Sequence, residues 1–313
     1  MTRREKIKLS LLAMQRHSWE QGTAMQAFLE MGDMDTVIAM AYEAVNRAMP
    51  DGRPATIGVT DAITDPCATG EALEAAARAT DDPGLRRGAD ALRVWAMEKA
   101  PRNSRGAVYH LTTAPQYWVD SMYMLPPYLA AIGEYGAAMA NFDGYWDALY
   151  DPEARLMRHM WDDEKRAYVR AAHWGTGNGW ALASLARMIP MVPDPACRER
   201  LTARAGALIE GVLAWMEPDG SFHDVVDDPT TFREVNLSQM TAYTLYRGMT
   251  DGWLDRRYEK TADLLRAAAV AATDDYGIVH HVCGAPDFAH PGQSPEAQAF
   301  ALLMDTAEER FHR

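Results

Sequence analysis

The segment QYWVDSMYMLPPYLA, which runs from Gln116 to Ala130, contains an aspartate in a place suited to proton chemistry. Asp120 follows an aromatic and apolar run and precedes an apolar helix. A carboxyl group in such surroundings loses hydration, which raises its pKa and allows it to hold a proton near neutral pH. Aspartate is also a favoured helix N-cap. Two interpretations of Asp120, proton donor and N-cap, are therefore open at this point.

A second aspartate, Asp65 in ITDPCATGEAL, stands at an equivalent helix start earlier in the chain. If the two helix starts face one axis, Asp65 and Asp120 converge. A pair of carboxyl groups is the usual arrangement for glycoside cleavage by general acid and base catalysis. For Asp65 alone the N-cap interpretation is favoured, because Pro66 suits the first position of a helix.

The segment WGTGNGW, from Trp174 to Trp180, places three glycines and Asn178 between two tryptophans. Glycines allow a backbone to approach a ligand, and an indole face suits the apolar face of a sugar ring. A tight turn with two core tryptophans is the alternative. His110 and His159 fall in long connections, from which they could donate hydrogen bonds to hydroxyl or carboxylate groups.

These residues belong to a repeating pattern of helices. Six helix starts share small or polar residues followed by an Ala-rich apolar helix, at steps of 46 to 60 residues. They begin at Trp19, Asp65, Asp120, Thr176, Asn236 and Ser294. Each step has room for a second, more charged helix, so the sequence predicts an all-α fold, an (α/α)6 barrel of six helical hairpins. A non-catalytic helical solenoid is the alternative interpretation of such a repeat.

The predicted arrangement places all six helix starts at one end of the barrel. The long connections 50–64, 100–117, 150–175, 218–235 and 274–293 meet the same end, where we expect the function. No shift in composition marks a linker, and we therefore assign residues 1–313 to a single domain.

Composition restricts the partners and the compartment. The net charge of −13 disfavours nucleic acid and anionic membrane surfaces, which require a positive field. The sequence shows no secretory signal and no apolar run of membrane-spanning length, and its three cysteines are widely spaced. We predict a cytoplasmic protein, a monomer or homodimer. A zinc site at His280, His281 and Cys283 is a weaker alternative, and we predict no metal and no cofactor.

Four ordered motifs give the sequence a family resemblance over residues 19–306. It resembles the unsaturated glycuronyl hydrolases, in particular the unsaturated rhamnogalacturonyl hydrolases of glycoside hydrolase family 105 and, more distantly, family 88. The motifs are DPCATG at 65–70, WVDS at 118–121, HMWD at 159–162 and WGTGNGW at 174–180. The closing segment GQSPEAQAFALLM also resembles the last inner helix of that family.

The resemblance implies a glycoside hydrolase that removes a 4,5-unsaturated uronic acid from the non-reducing end of an oligosaccharide made by a polysaccharide lyase. It implies hydration of the C4=C5 double bond, with Asp120 as the catalytic acid and Asp65 holding sugar hydroxyls and modulating Asp120. The residues expected around the unsaturated ring are His110, Trp118, His159 and Trp174, and we add Trp19, Thr176 and Asn178 to this predicted subsite.

One position departs from the family pattern. Thr176 stands where many rhamnogalacturonyl members carry an arginine, and a threonine hydroxyl has no charge to offer a carboxylate. Arg105 or Arg170 could take over that contact, or the substrate differs. Two alternatives remain open from the residues, an inverting glycosidase acting on saturated sugars and a non-catalytic carbohydrate-binding toroid.

Overall fold

The computed structural model describes residues 1–285 and 287–313, and helices dominate that part of the chain. The α-helices are α1 (Arg3–Met14), α2 (Ser18–Met31), α3 (Met34–Asn46), α4 (Gly70–Thr80), α5 (Pro83–Val94), α6 (Ser121–Met124), α7 (Pro126–Ala131), α8 (Tyr135–Leu149), α9 (Gly175–Met191), α10 (Pro195–Leu213), α11 (Asn236–Thr250), α12 (Glu259–Ala271) and α13 (Pro295–Phe311). Five of the six predicted helix starts lie within one residue of the start of an α-helix, and the sixth, at Asp65, begins a 3-10 turn (Asp65–Thr69) that leads into α4.

Short antiparallel strands occupy the connections that precede several of these helices. They are β1 (Gln116–Trp118), β2 (Tyr150–Asp151), β3 (Leu156–Met157), β4 (Met160–Asp162), β5 (Ala167–Arg170), β6 (Phe222–His223), β7 (Arg233–Glu234), β8 (Val282–Cys283) and β9 (Pro291–Gly292). Strands β1, β4 and β5 form a three-stranded sheet in that order, and the others pair as two-residue hairpins.

The chain forms two compact units. The N-terminal unit consists of residues 15–149 and 160–171, and the C-terminal unit of residues 1–14, 150–159 and 172–313. The assignment of the whole chain to one domain stays a prediction.

The N-terminal unit contains three helical pairs, α2 with α3, α4 with α5 and α7 with α8. Helix α2 also lies against the 3-10 turn Asp65–Thr69. Gly22 permits this approach, because a Cβ atom there would lie 2.5 Å from the backbone carbon of Ala68. The close packing of α2 therefore fixes the position of the turn that carries Asp65.

The helix after Asp120 is interrupted at two consecutive prolines, Pro126 and Pro127. Helix α6 ends at Met124 and α7 begins at Pro126, with Leu125 between them. A proline ring cannot continue the hydrogen-bonding pattern of the preceding turn, so the helix must restart. Helix α6 is thus a single turn that is separate from α7, and Asp120 lies at its N-terminus.

The C-terminal unit contains the remaining pairs, α9 with α10 and α11 with α12, while α13 packs against α1. Helix α11 contacts both α9 and α13. Fifteen of the 17 residues of α9 are buried, against six of the 19 residues of α10. This contrast is the one predicted between the Ala-rich and Gly-rich helices and their charged partners.

None of the helices in residues 1–285 and 287–313 is both long enough and apolar enough to cross a membrane.

Candidate active site

The residues around His110 form the polar centre of the N-terminal unit. The Nδ1 atom of His110 lies 3.0 Å from the hydroxyl of Thr64 and 2.9 Å from that of Ser121, and the two hydroxyls lie 3.0 Å apart. Its Nε2 atom lies 3.8 Å from a carboxylate oxygen of Asp65. Thr64 precedes Asp65 and Ser121 follows Asp120, so this cluster joins the two helix starts that carry the predicted catalytic pair.

The structure tests the N-cap interpretation of Asp120 and of Asp65. Asp120 occupies the N-cap position of α6, but its side chain makes no capping hydrogen bond. Asp65 is the first residue of its 3-10 turn, whose N-cap is Thr64. The N-cap interpretation that the sequence favoured for Asp65 is therefore wrong, because the turn begins one residue earlier than a cap at Asp65 would require.

A stacked histidine and tryptophan lie beside this cluster. The rings of His110 and Trp118 have centroids 4.4 Å apart and planes 15° apart. The indole N–H of Trp118 donates to Gln116 Oε1 at 3.0 Å, within the same strand β1. Tyr117 and Val119 are buried, so Asp120 emerges from an apolar and aromatic strand. Asp120 itself is half-buried, and its role as a proton donor stays a prediction.

A second stack of the same kind lies in the C-terminal unit. The rings of His159 and Trp174 have centroids 4.6 Å apart, and both residues are buried. The indole N–H of Trp174 donates to Asp224 Oδ1 at 3.1 Å. The face of Trp174 is therefore fixed from two directions, by ring stacking and by a hydrogen bond to a carboxylate.

Two further predicted residues, Asn178 and Thr176, are buried in α9. The Asn178 side chain accepts from the backbone N–H of Met157 at 2.8 Å and donates to the carbonyls of Met157 and Trp174. These bonds clamp β3 to the start of α9 and use both N–H donors of the Asn178 amide. The Thr176 hydroxyl accepts from Asn236 Nδ2 at 3.4 Å, and Thr176 is only 2% exposed.

The other predicted binding residues are placed as follows. Trp19 is half-buried and stacks on His17, with ring centroids 4.5 Å apart and planes 3° apart. Arg105 is exposed in the connection before β1. Arg170 is half-buried at the end of β5, directly opposite Met160 of β4, which is itself opposite Trp118 of β1. Trp118, Met160 and Arg170 therefore lie in one row across the sheet, and the register between β4 and β5 shifts directly beside this row, between Met160 and Trp161.

The residues of the zinc hypothesis are engaged elsewhere. His280 Nε2 lies 2.9 Å from Asp274 Oδ2, and the Cys283 thiol donates to the carbonyl of Phe288. In residues 1–285 and 287–313 no group of three or more His, Cys, Asp or Glu side chains is arranged to hold a metal ion.

Sequence reasoning missed two buried acids, Asp224 and Glu234. Glu234 accepts from the backbone N–H groups of Asn236, at 2.5 Å, and Leu237, at 3.0 Å, at the start of α11. Burial, with the nearby charge of Asp224 adding to it, raises the pKa of Glu234 to about 8 despite these two backbone hydrogen bonds. Both acids lie in the predicted functional connection 218–235, but nothing in their local sequence sets them apart from its surface acids.

The raised pKa of Glu234 predicts a pH-dependent stability. Between its ordinary value of 4.5 and about 8, the folded carboxyl retains a proton that the unfolded one has lost. The free energy of unfolding is therefore expected to fall as the pH rises through this window, by up to about 1.4 kcal/mol per pH unit. Denaturant unfolding of the wild type and of Glu234→Gln at several pH values measures it. Parallel profiles for the two proteins would contradict the assignment.

The chain matches known proteins over most of its length. A family model described as Glycosyl Hydrolase Family 88 matches residues 1–294. The unsaturated rhamnogalacturonyl hydrolase YesR of Bacillus subtilis is 27% identical over 210 residues, which make up 60% of this chain and 57% of that protein. The match thus spans little more than half the length of the curated relatives.

Solved structures show the fold class. A possible member of the GH105 family from Salmonella enterica superposes with a TM-score of 0.86 and 20% identity, covering 99% of this chain and 93% of that one. A family 105 glycoside hydrolase of C. acetobutylicum gives a TM-score of 0.83 at 18% identity, covering 98% and 99%. The predicted all-α class, the (α/α)6 barrel of the six-hairpin glycosidases, is confirmed by this likeness. Since the family model covers nearly the whole chain, the protein belongs to glycosyl hydrolase family 88.

Proposed function

We propose that the protein is a hydrolase that removes a 4,5-unsaturated uronic acid from the non-reducing end of a short oligosaccharide. The observation that carries the proposal is the cluster in the N-terminal unit. There the start of α6, which bears Asp120, is joined through Ser121, His110 and Thr64 to the turn that bears Asp65. The name of YesR, an unsaturated rhamnogalacturonyl hydrolase, supports the same activity.

The proposed chemistry is hydration of a vinyl ether. Asp120 gives its proton to C4 of the C4=C5 double bond, and a water molecule adds to C5 and returns a proton to the Asp120 carboxylate. The resulting hemiketal opens, and the rest of the saccharide leaves from C1. Asp120 suits the first step because an acid that sits in an apolar, aromatic setting can keep its proton until the double bond is placed against it. We propose that Asp65, facing His110, holds sugar hydroxyls.

We propose that the stacked rings of Trp118 and His110 line the subsite of the unsaturated ring. His159 and Trp174 stay predicted members of it from the family resemblance. Trp19, Thr176 and Asn178 stay predicted members of this subsite. Thr176 carries no charge, so the uronate carboxylate requires another cation. We assign that contact to Arg170, because it is half-buried and lies in the same row across the sheet as Trp118.

We further propose that the protein works in the cytoplasm on diffusible oligosaccharides, as a monomer or a homodimer. The net charge of −13 supports short substrates over long polyanionic polymers, which the protein as a whole would repel.

A panel of unsaturated disaccharides tests the proposal. Lyases acting on pectin, glycosaminoglycan and ulvan supply them, and loss of the ultraviolet absorbance of the double bond follows the reaction. At least one disaccharide is expected to lose this absorbance and to yield a keto-uronate. Release of an intact uronic acid from saturated sugars would support the inverting glycosidase instead. Tight binding without turnover across the panel would support the non-catalytic toroid.

A further inference from the structure

A cleft of about 650 Å³ lies within the N-terminal unit, away from the His110 cluster. Its walls include Tyr109, Tyr117 and Trp161. Tyr117 of β1 and Trp161 of β4 are directly opposite each other and so project from one face of the sheet. Trp118, the next residue of β1, projects from the other face, where it stacks on His110. The sheet therefore separates the cleft from the proposed catalytic subsite.

The aromatic part of the cleft is rigid. The rings of Tyr109 and Tyr117 stack with centroids 5.3 Å apart, and both hydroxyls donate to Asp163 Oδ2, at 3.3 and 3.4 Å. Trp161 is half-buried, and its ring packs edge-on against that of Tyr168, with ring centroids 5.0 Å apart. A flat, partly exposed ring in a fixed orientation presents an apolar face to a ligand.

Hydrogen-bond donors surround these rings without partners of their own. Arg105 and Arg166 line the cleft, and neither guanidinium makes a hydrogen bond or ion pair with any residue that the structure describes. The indole N–H of Trp161 likewise donates to none of the described residues. A guanidinium offers five N–H donors in a planar fork, which suits pairs of neighbouring oxygens on a ligand.

The charged side chains that line the cleft restrict the class of ligand further. Asp143, Asp147 and Asp163 also line the cleft, so three carboxylates face two guanidiniums. Together with the overall charge of −13, this balance disfavours polyanionic ligands. A ligand that combines apolar ring faces with neutral hydroxyls satisfies the aromatic, cationic and acidic side chains together. The volume falls within the range of about 300–1,000 Å³ that is usual for small-molecule sites.

We infer that this cleft is a second carbohydrate-binding site, which takes a short segment of neutral sugars. The choice of a sugar over another neutral polyhydroxy compound rests on the proposed function. Trp161 stacks on a ring face, and Arg105 and Arg166 donate to its hydroxyls.

Saturated neutral oligosaccharides test this inference, because without a C4=C5 bond they are not turned over by the proposed chemistry. Calorimetric titration of the wild type with galactotetraose, arabinotetraose and cellotetraose, and with trigalacturonate as the anionic comparison, measures binding. At least one neutral tetrasaccharide is expected to bind. Trp161→Ala and the double variant Arg105→Ala, Arg166→Ala are each expected to weaken that binding about ten-fold or more.

Two further variants keep the test specific. Trp161→Phe preserves a flat ring and is expected to retain most of the affinity. Trp215 is 43% exposed and does not line the cleft, so Trp215→Ala is expected to bind as the wild type does. The inference is overturned if no neutral tetrasaccharide binds, if only trigalacturonate binds, or if Trp161→Ala binds as tightly as Trp215→Ala.

The failure of this inference can be told apart from failure of the proposed function. Turnover of unsaturated disaccharides is measured on the wild type alone. Absence of turnover would contradict the proposed function, whereas tetrasaccharide binding lost in Trp161→Ala would still support the cleft.

Discussion

Asp120→Asn is expected to lower kcat on an unsaturated disaccharide by about 100-fold to 10,000-fold while leaving the fold intact. The range is that of a positioned proton donor, and an amide of the same shape has no acidic proton to give. The side chain of Asp120 makes no capping hydrogen bond, so its replacement removes none from the start of α6. Initial rates from the loss of ultraviolet absorbance, together with thermal unfolding, measure the two effects.

A matched variant separates this effect from a general loss of charge. Asp90 lies on α5 in the same unit, with its side chain 65% exposed and 3.9 Å from Arg86. Asp90→Asn is expected to keep the wild-type rate. If Asp120→Asn and Asp90→Asn are equally active, Asp120 is not the proton donor.

Arg170→Gln is expected to raise KM for the same disaccharide by about 10-fold to 100-fold, with a smaller effect on kcat. A hydrogen bond to a charged group contributes about 1.5–3 kcal/mol, and the uronate carboxylate keeps its charge in the bound substrate and in the transition state, so most of the loss is expected in KM. Arg170 is the assigned partner because β1, β4 and β5 align Trp118, Met160 and Arg170 in one row across the sheet. Steady-state kinetics at constant ionic strength provide the measurement.

Lys165→Gln is the control for the loss of one positive charge in Arg170→Gln. Lys165 lies on the same hairpin, its side chain is 73% exposed, and its Nζ atom pairs with Asp162 at 3.0 Å. Lys165→Gln also removes one positive charge and is expected to leave KM unchanged. Equal increases in KM for both variants would show a general electrostatic effect and would remove Arg170 from the subsite.

The helical framework could be predicted from the sequence because it depends on local and repeated signals. Ala-rich periodic segments after small or polar residues predicted six helix starts, of which five begin an α-helix within one residue and the sixth begins the 3-10 turn before α4. The break between α6 and α7 follows from Pro126 alone, since proline excludes a continuous helix there. The predicted family resemblance is confirmed by the match over residues 1–294.

The finer geometry depended on contacts between residues distant in sequence. The cluster of Thr64, His110 and Ser121 joins three segments, and a hydroxyl residue carries no sequence signal for such a role. Asp224 resembles the surface acids around it, and only the fold brings its carboxylate to Trp174. Asn178 was placed in the sugar subsite by its motif, whereas its amide holds β3.

The cleft beside Trp161 also could not be predicted from the sequence. The sequence identified Trp161 only as part of the HMWD motif, together with residues of the predicted active site. Strand alternation places Trp161 and Trp118 on opposite faces of the sheet, which could be seen only once β1 was paired with β4.

A matched pair of disaccharides, identical except for the C4=C5 double bond in the terminal uronic acid, tests the central claim most directly. The released sugar is quantified for both compounds under the same conditions. We predict that the unsaturated compound is cleaved, with loss of its absorbance as the sugar appears, and that the saturated compound is left intact. Cleavage of the saturated compound at a comparable rate would contradict hydration of the double bond and the role proposed for Asp120.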